Sequence, residues 1–135
     1  MALLNDLMGL GLPAELALVA TTETLSSAPT LSSSVALTAA GTTITDALAL
    51  TSFVNLVGTA AASTGVKLPI ECPIGQVVYI ANNGANSIKV YAQSSQTLNT
   101  TIVGATGTTV TTLQGLQCIR QSSTNWMALL HTKAT

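Results

Sequence analysis

The sequence predicts an all-β fold, a sandwich or barrel over residues 35–135, preceded by an N-terminal arm and linker over residues 1–34. Three observations lead there. After residue 34, short runs rich in β-branched residues recur, and clusters of Gly, Asn, Ser and Thr separate them at the spacing of an all-β domain. Several of these runs alternate with a period of two, which puts one set of side chains inside and the other outside. The first 34 residues lack that texture, and a chain of 135 residues has room for one core and at most one appendage.

In the arm, Leu3, Leu7 and Leu10 fall at helical spacing, with Leu4 and Met8 beside them, until Gly9, Gly11 and Pro13 interrupt the pattern. Pro13 is tolerated in a first turn, so a second short helix is expected to run from there through "AELALVA". The segment is apolar enough to suggest a signal peptide. It lacks a basic n-region and carries Asp6 and Glu15, however, so it is expected to be retained. Residues 21–34, "TTETLSSAPTLSSS", have no sustained apolar face and read as a linker or extended arm.

Strands are expected at residues 35–37, 42–50, 54–59, 66–68, 76–81, 87–92, 108–113, 116–121 and 126–131. The stretch "VVYIANNGANSIKVYAQ" reads as a hairpin. Val78 and Ile80 point to one face of its first strand, and Val77, Tyr79 and Ala81 to the other. In its second strand Ile88, Val90 and Ala92 alternate with Lys89 and Tyr91, and "NNGAN" supplies residues that tolerate positive φ for a tight reversal. The run "LQCIRQSSTNWMALLH" repeats the arrangement around "SSTN". Trp126, the only Trp, and Tyr91 are assigned to the core or to a contact between subunits. No repeat of fixed long period is visible, and the echo between "VALTAAG" and "ALALTS" reflects low-complexity use of Ala, Leu and Thr.

The composition is 47% hydrophobic, 3% aromatic and 7% charged, against roughly 25% charged in an average domain. The surface must therefore be hydroxyls, amides and small apolar groups, which suits packing against protein. A net charge of −1 with no basic block argues against nucleic acid and against an anionic membrane surface. Residues 47–66 form a charge-free run long enough to span a membrane, but Thr, Ser, Asn and Gly interrupt it throughout, so no span is expected.

Reactive chemistry is scarce. His131 is the only histidine, so neither a Ser-His-Asp triad nor a multi-histidine metal site can be built within one chain. The carboxylates Asp6, Glu15, Glu23, Asp46 and Glu71 are scattered. Asp46 and Glu71, the two within the domain, are expected in solvated or turn-capping roles. Cys72 and Cys118 show no metal or redox spacing; two small buried thiols on separate strands is the simpler reading, and a disulfide between them stays open. "GATG" at 104–107 is a turn and not a phosphate loop, since no "GK[ST]" follows. "NTT" at Asn99 fits the glycosylation pattern but carries no weight without a secretory signal. No catalytic residue, metal or cofactor is expected.

The stretches "STGVKLP" (63–69), "GQVVYIANNGANSIKVYAQ" (75–93) and "NWMALL" (125–130) resemble a family of small β-sandwich proteins on the outside of tailed-bacteriophage heads, the capsid decoration, cement or head-fibre proteins. "GLGLPAELA" (9–17) is similar to N-terminal segments of phage structural proteins. Two departures stand out. Residues 92–96 are "AQSSQ" where family members often carry a Pro and a Gly, and the Cys pair belongs to no family pattern.

The resemblance implies a jelly-roll-like sandwich and a non-enzymatic role. The protein would sit as a homotrimer on the outer capsid surface of the virion, bind the major capsid protein and stabilise the head. Leu3, Leu7, Leu10, Leu12 and Leu16 of the arm would be the anchors that dock on the capsid or a neighbouring subunit. The alternative is a fibre, spike or tail component that uses the same β module for host-surface binding.

Overall fold

The computed structural model describes residues 32–134; the expected arm helices and the five arm leucines, Leu3, Leu7, Leu10, Leu12 and Leu16, lie outside the described residues. The compact unit that contains the described residues spans Leu31–Thr135. It is all-β, with no helix among the described residues. The strands are β1 (Ser33–Thr38), β2 (Leu48–Ala49), β3 (Val54–Thr59), β4 (Gly65–Lys67), β5 (Val77–Asn82) and β6 (Ile88–Tyr91). They continue with β7 (Thr97–Leu98), β8 (Ile102–Val103), β9 (Thr108–Val110), β10 (Gln114–Arg120) and β11 (Asn125–Thr132).

They form a seven-stranded sheet in the order β1-β3-β5-β10-β11-β7-β8 and a four-stranded sheet in the order β2-β4-β6-β9. Up to β6 the chain alternates between the sheets. The odd strands β1, β3 and β5 pair in parallel in the larger one, and the even strands β2, β4 and β6 pair in parallel in the smaller one. Each circuit adds one strand to each sheet, so this half is solenoid-like. The second half turns back: β9 runs antiparallel to β6, and β10 lies antiparallel to both β5 and β11. A jelly roll is built from antiparallel Greek keys. Here five of the nine strand pairings are parallel, so the jelly-roll-like expectation does not describe the topology.

The same topology corrects the expected hairpin at 77–92. Its two strands exist, but β5 lies in the larger sheet and β6 in the smaller, and they do not pair. "NNGAN" is a corner between sheets. None of its residues has a positive φ; the corner is built on the Asn82 side chain. Nδ2 of Asn82 donates to the carbonyls of Asn86 and Val110, both at 3.0 Å, while Oδ1 accepts from Gly84 N–H at 2.9 Å. Asn86 Nδ2 in turn donates to the Ala60 carbonyl at 2.9 Å, which ties the corner to the preceding circuit. A Cβ on Gly84 would sit 2.7 Å from the Ala60 side chain, so glycine is needed there for close approach. The later hairpin at "SSTN" is real, with Arg120 opposite Trp126 in the β10–β11 pair.

The expected strand at 42–50 shrinks to the two residues of β2, because residues 43–46 form a turn and Asp46 caps it. β7 and β8, two residues each, were not anticipated. The charge-free run 47–66 folds as β2, β3 and the turns around them, and no helix among the described residues is long and apolar enough to cross a membrane.

One core fills the space between the sheets. Val57, Val78, Ile80, Leu116, Cys118 and Trp126 enter it from the larger sheet, and Val66, Ile88, Val90 and Val110 from the smaller. Each large apolar side chain so placed is worth about 1.5–3 kcal/mol relative to exposure.

Candidate functional site

The polar residues the sequence singles out are used for structure. Trp126 is fully buried; its indole Nε1–H donates to Gln96 Oε1 at 2.8 Å, and the Arg120 guanidinium lies over the ring at 5.1 Å from its centroid. Arg120 is itself buried. Its Nε donates to the Ser122 carbonyl (2.7 Å) and Nη2 to the Ser123 carbonyl (3.0 Å), which holds the β10–β11 turn, while Nη1 is buried without a hydrogen-bond partner. Tyr91, on β6, is buried as well, with its hydroxyl donating to the Thr42 carbonyl at 3.1 Å. Cβ atoms on Gly65 and Gly107 would come within 2.7 and 2.8 Å of its ring. Trp126 and Tyr91 thus both lie inside a single chain.

No nucleophile or metal cluster emerges among the described residues. Cys72 and Cys118 are free thiols, Cys72 half-buried beside the core and Cys118 fully enclosed on β10. Burial pushes the Cys118 thiol up to about 12; burial also raises Cys72, with the Arg120 charge opposing, so both favour the protonated thiol near neutrality. Asp46 accepts from the hydroxyl (2.6 Å) and amide (2.7 Å) of Thr43, and these bonds hold its carboxyl below the ordinary value of 3.8. His131 lies exposed on β11, 3.3 Å from Gln117 Oε1. Asn99 of "NTT" is occupied by the backbone of Ala128, donating to its carbonyl and accepting from its N–H. Gly104 of "GATG" sits in a turn against the Gln93 carbonyl.

What the fold assembles is a surface, the outer face of the larger sheet. Strand register lays three rows across it: Val54, Tyr79, Gln117 and Leu129; Leu56, Ala81, Gly115 and His131; Val77, Ile119 and Met127. None of these residues is Asp, Glu, Lys or Arg. Tyr79 and Leu129 stand out from the face, 46% and 42% exposed. Beside Tyr79 lies a hollow of about 420 Å³, lined by Val35, Val54, Leu56, Ala81 and Gly115 and, at the end of β11, by His131 and Lys133. The outer side of the smaller sheet differs: Lys67 on β4 and Lys89 on β6 put two cations there.

The open edges offer little for strand addition. β2 and β8 have two residues each and β9 three. β1 is longer but bulged, with register shifts on either side of Leu37 and a positive φ of 59° at Ala36. Short and bulged edges resist pairing with another chain. The face and not the edge is therefore the surface available to a partner.

Alternation within each run made half of this legible in advance, for Val77, Tyr79 and Ala81 were placed on one side of their strand. Their neighbours Val54, Leu56 and Gln117, and Leu129 beside Gln117, were out of reach because the pairings of β5, parallel with β3 and antiparallel with β10, join residues more than twenty positions apart. Comparison with protein-family models, with curated proteins and with solved structures returns no match.

Proposed function

We propose that this chain is a non-enzymatic structural protein of a phage virion, a decoration or cement protein. It binds the outer capsid surface as a homotrimer, contacts the major capsid protein and stabilises the head. The role needs a compact two-sheet β module and not a jelly roll in particular. The observation that carries the reading is the contrast between the two sheet faces. One carries no Asp, Glu, Lys or Arg in its rows across four strands and is mostly apolar, with Lys133 only past the end of β11, while the other carries lysines on the strands themselves, on a chain otherwise poor in charge. Such a face stays wet at a cost and is suited to burial against protein. The dispersed family-like motifs "STGVKLP", "GQVVYIANNGANSIKVYAQ" and "NWMALL" point the same way.

The test is co-sedimentation of the purified protein with undecorated capsids. The full chain binds and raises the temperature at which the particles open, whereas a chain lacking residues 1–20 keeps its β fold and no longer joins particles. Full occupancy by the truncated chain would sink the docking role of Leu3, Leu7, Leu10, Leu12 and Leu16.

A second reading, a fibre, spike or tail component, draws on the solenoid-like half, since stacked circuits of this kind extend along their own axis. Density for the protein at the tail of the virion, and none on the head, selects it.

A further inference from the structure

The apolar face calls for an occupant, and its chemistry narrows the choice. β3, β5, β10 and β11 lie side by side, about 19 Å across at roughly 4.8 Å per strand, and the seven residues of β10 run about 23 Å. The face therefore covers about 440 Å² in projection, before side-chain relief is counted. That is more than half of the ~800 Å² each partner gives to a stable interface.

Charge discriminates among partners. The strand rows carry no Asp, Glu, Lys or Arg, and Lys133, just past the end of β11 and lining the hollow, is held by Asn83 Oδ1, so a charged partner packed on the middle of the face would leave its ions desolvated and alone. Two copies can meet through those uncharged rows at no such cost, with each Lys133 kept on its own Asn83 at the end of β11. The opposite side cannot, since Lys67 and Lys89 of two copies would confront each other. Shape agrees with charge. The same face carries both projections, Tyr79 and Leu129, and a hollow into which a side chain at Gly115 would project. A surface with its own knobs and its own hole is fitted to a second copy of itself.

We propose that the outer face of the larger sheet is the surface through which copies of this chain associate, with Tyr79 and Leu129 of one copy seated near Gly115 of another. This rests on the self-association in the reading above and not on the capsid part, and because a face that meets its own copy closes a two-fold pair, the wild-type mass it expects is a dimer where that reading has a trimer. The open sheet edges β1, β2, β8 and β9 play no role in it.

The experiment is native mass by light scattering after size exclusion, on the full chain and three variants. Leu129→Glu puts a charge on a projection. Gly115→Leu fills the hollow, and it does so without strain, because a Cβ there meets only the Ile80 carbonyl at 3.5 Å and φ is not positive. Lys89→Glu, on the other sheet, is the control. The expected result is a multi-chain wild type and Lys89→Glu, with Leu129→Glu and Gly115→Leu dissociating at concentrations roughly a hundredfold higher, as burying an unpaired charge or blocking a socket demands. Urea unfolding of both face variants as single-domain monomers separates lost association from lost folding.

A monomeric wild type, or face variants that keep the wild-type mass, would overturn the inference. An assembly that depends on this face but does not bind capsids supports the inference and overturns the capsid role. Capsid binding with assembly indifferent to this face does the reverse.

Discussion

Asn82→Ala should be the most costly single truncation of a polar side chain among the described residues that is open to simple measurement. Asn82 is fully buried and makes three hydrogen bonds, to Asn86 and Val110 carbonyls and from Gly84 N–H. Asn86 is exposed, so its carbonyl can turn to water; Gly84 and Val110 are buried, so their groups cannot. Alanine therefore orphans one donor and one acceptor at about 1–3 kcal/mol each, or about 2–6 kcal/mol in all. Against a typical domain stability of about 5–15 kcal/mol, that leaves a fold close to its threshold.

Urea denaturation followed by Trp126 fluorescence reads the loss as a lower midpoint at unchanged m. Asn82→Asp supplies a second check. It keeps the acceptor for Gly84 but sets a carboxylate against two carbonyls. Burial among acceptors raises the folded-state pKa of that acid, so its stability should recover as pH falls and be lost as pH rises. A loss below about 1 kcal/mol for the alanine variant, or an aspartate variant indifferent to pH, would refute the idea that one side chain builds the corner between sheets.

Trp126→Phe keeps the ring in the core but deletes the bond to Gln96 and weakens the contact with Arg120, for a loss of about 1–3 kcal/mol in thermal or denaturant unfolding. Gly104→Ala drives a Cβ to within 2.1 Å of the Gln93 carbonyl and should cost about 1–3 kcal/mol or more by the same assay. Cys118 titrates from 9.0 when unfolded to about 12 when folded, so its contribution is fully present below pH 9 and drains away as pH rises through that window; Cys118→Ala should flatten the alkaline slope of unfolding midpoints. Asp46 has the opposite sign. Its folded pKa lies below the ordinary 3.8, so the turn it caps is secure above that value and loosens as pH falls past it, and the protection of the Thr43 amide relative to its intrinsic exchange rate should fall in acid for the wild type only, not for Asp46→Asn.

The alternating runs already carried the all-β class, because side-chain direction along a strand has a period of two and depends on nothing beyond the strand itself. Val78 and Ile80 inside with Tyr79 outside is that rule at work, and so are Leu116 and Cys118 inside with Gln117 half out. The lack of reactive groups was legible in the same way, from residue types alone. The sequence reading went astray where partners had to be chosen. β5 and β6, five residues apart, were joined as a hairpin on the strength of "NNGAN". Instead Asn82 bonds to Val110, twenty-eight positions away, and turns the chain across to the other sheet.

Tyr91 illustrates the same limit from the other side. Alternation sets it with Lys89, away from the core, yet Thr42 and the absent side chains of Gly65 and Gly107 enclose it. By itself, then, the sequence determined strand character, the inward and outward sets of each strand, and the poverty of charge. Only the tertiary structure decided which strands are neighbours, and with that the four-stranded apolar face. Strand direction is a local property of the backbone, whereas pairing is settled by long-range closure, in which side chains far apart in the chain compete to satisfy the same buried groups.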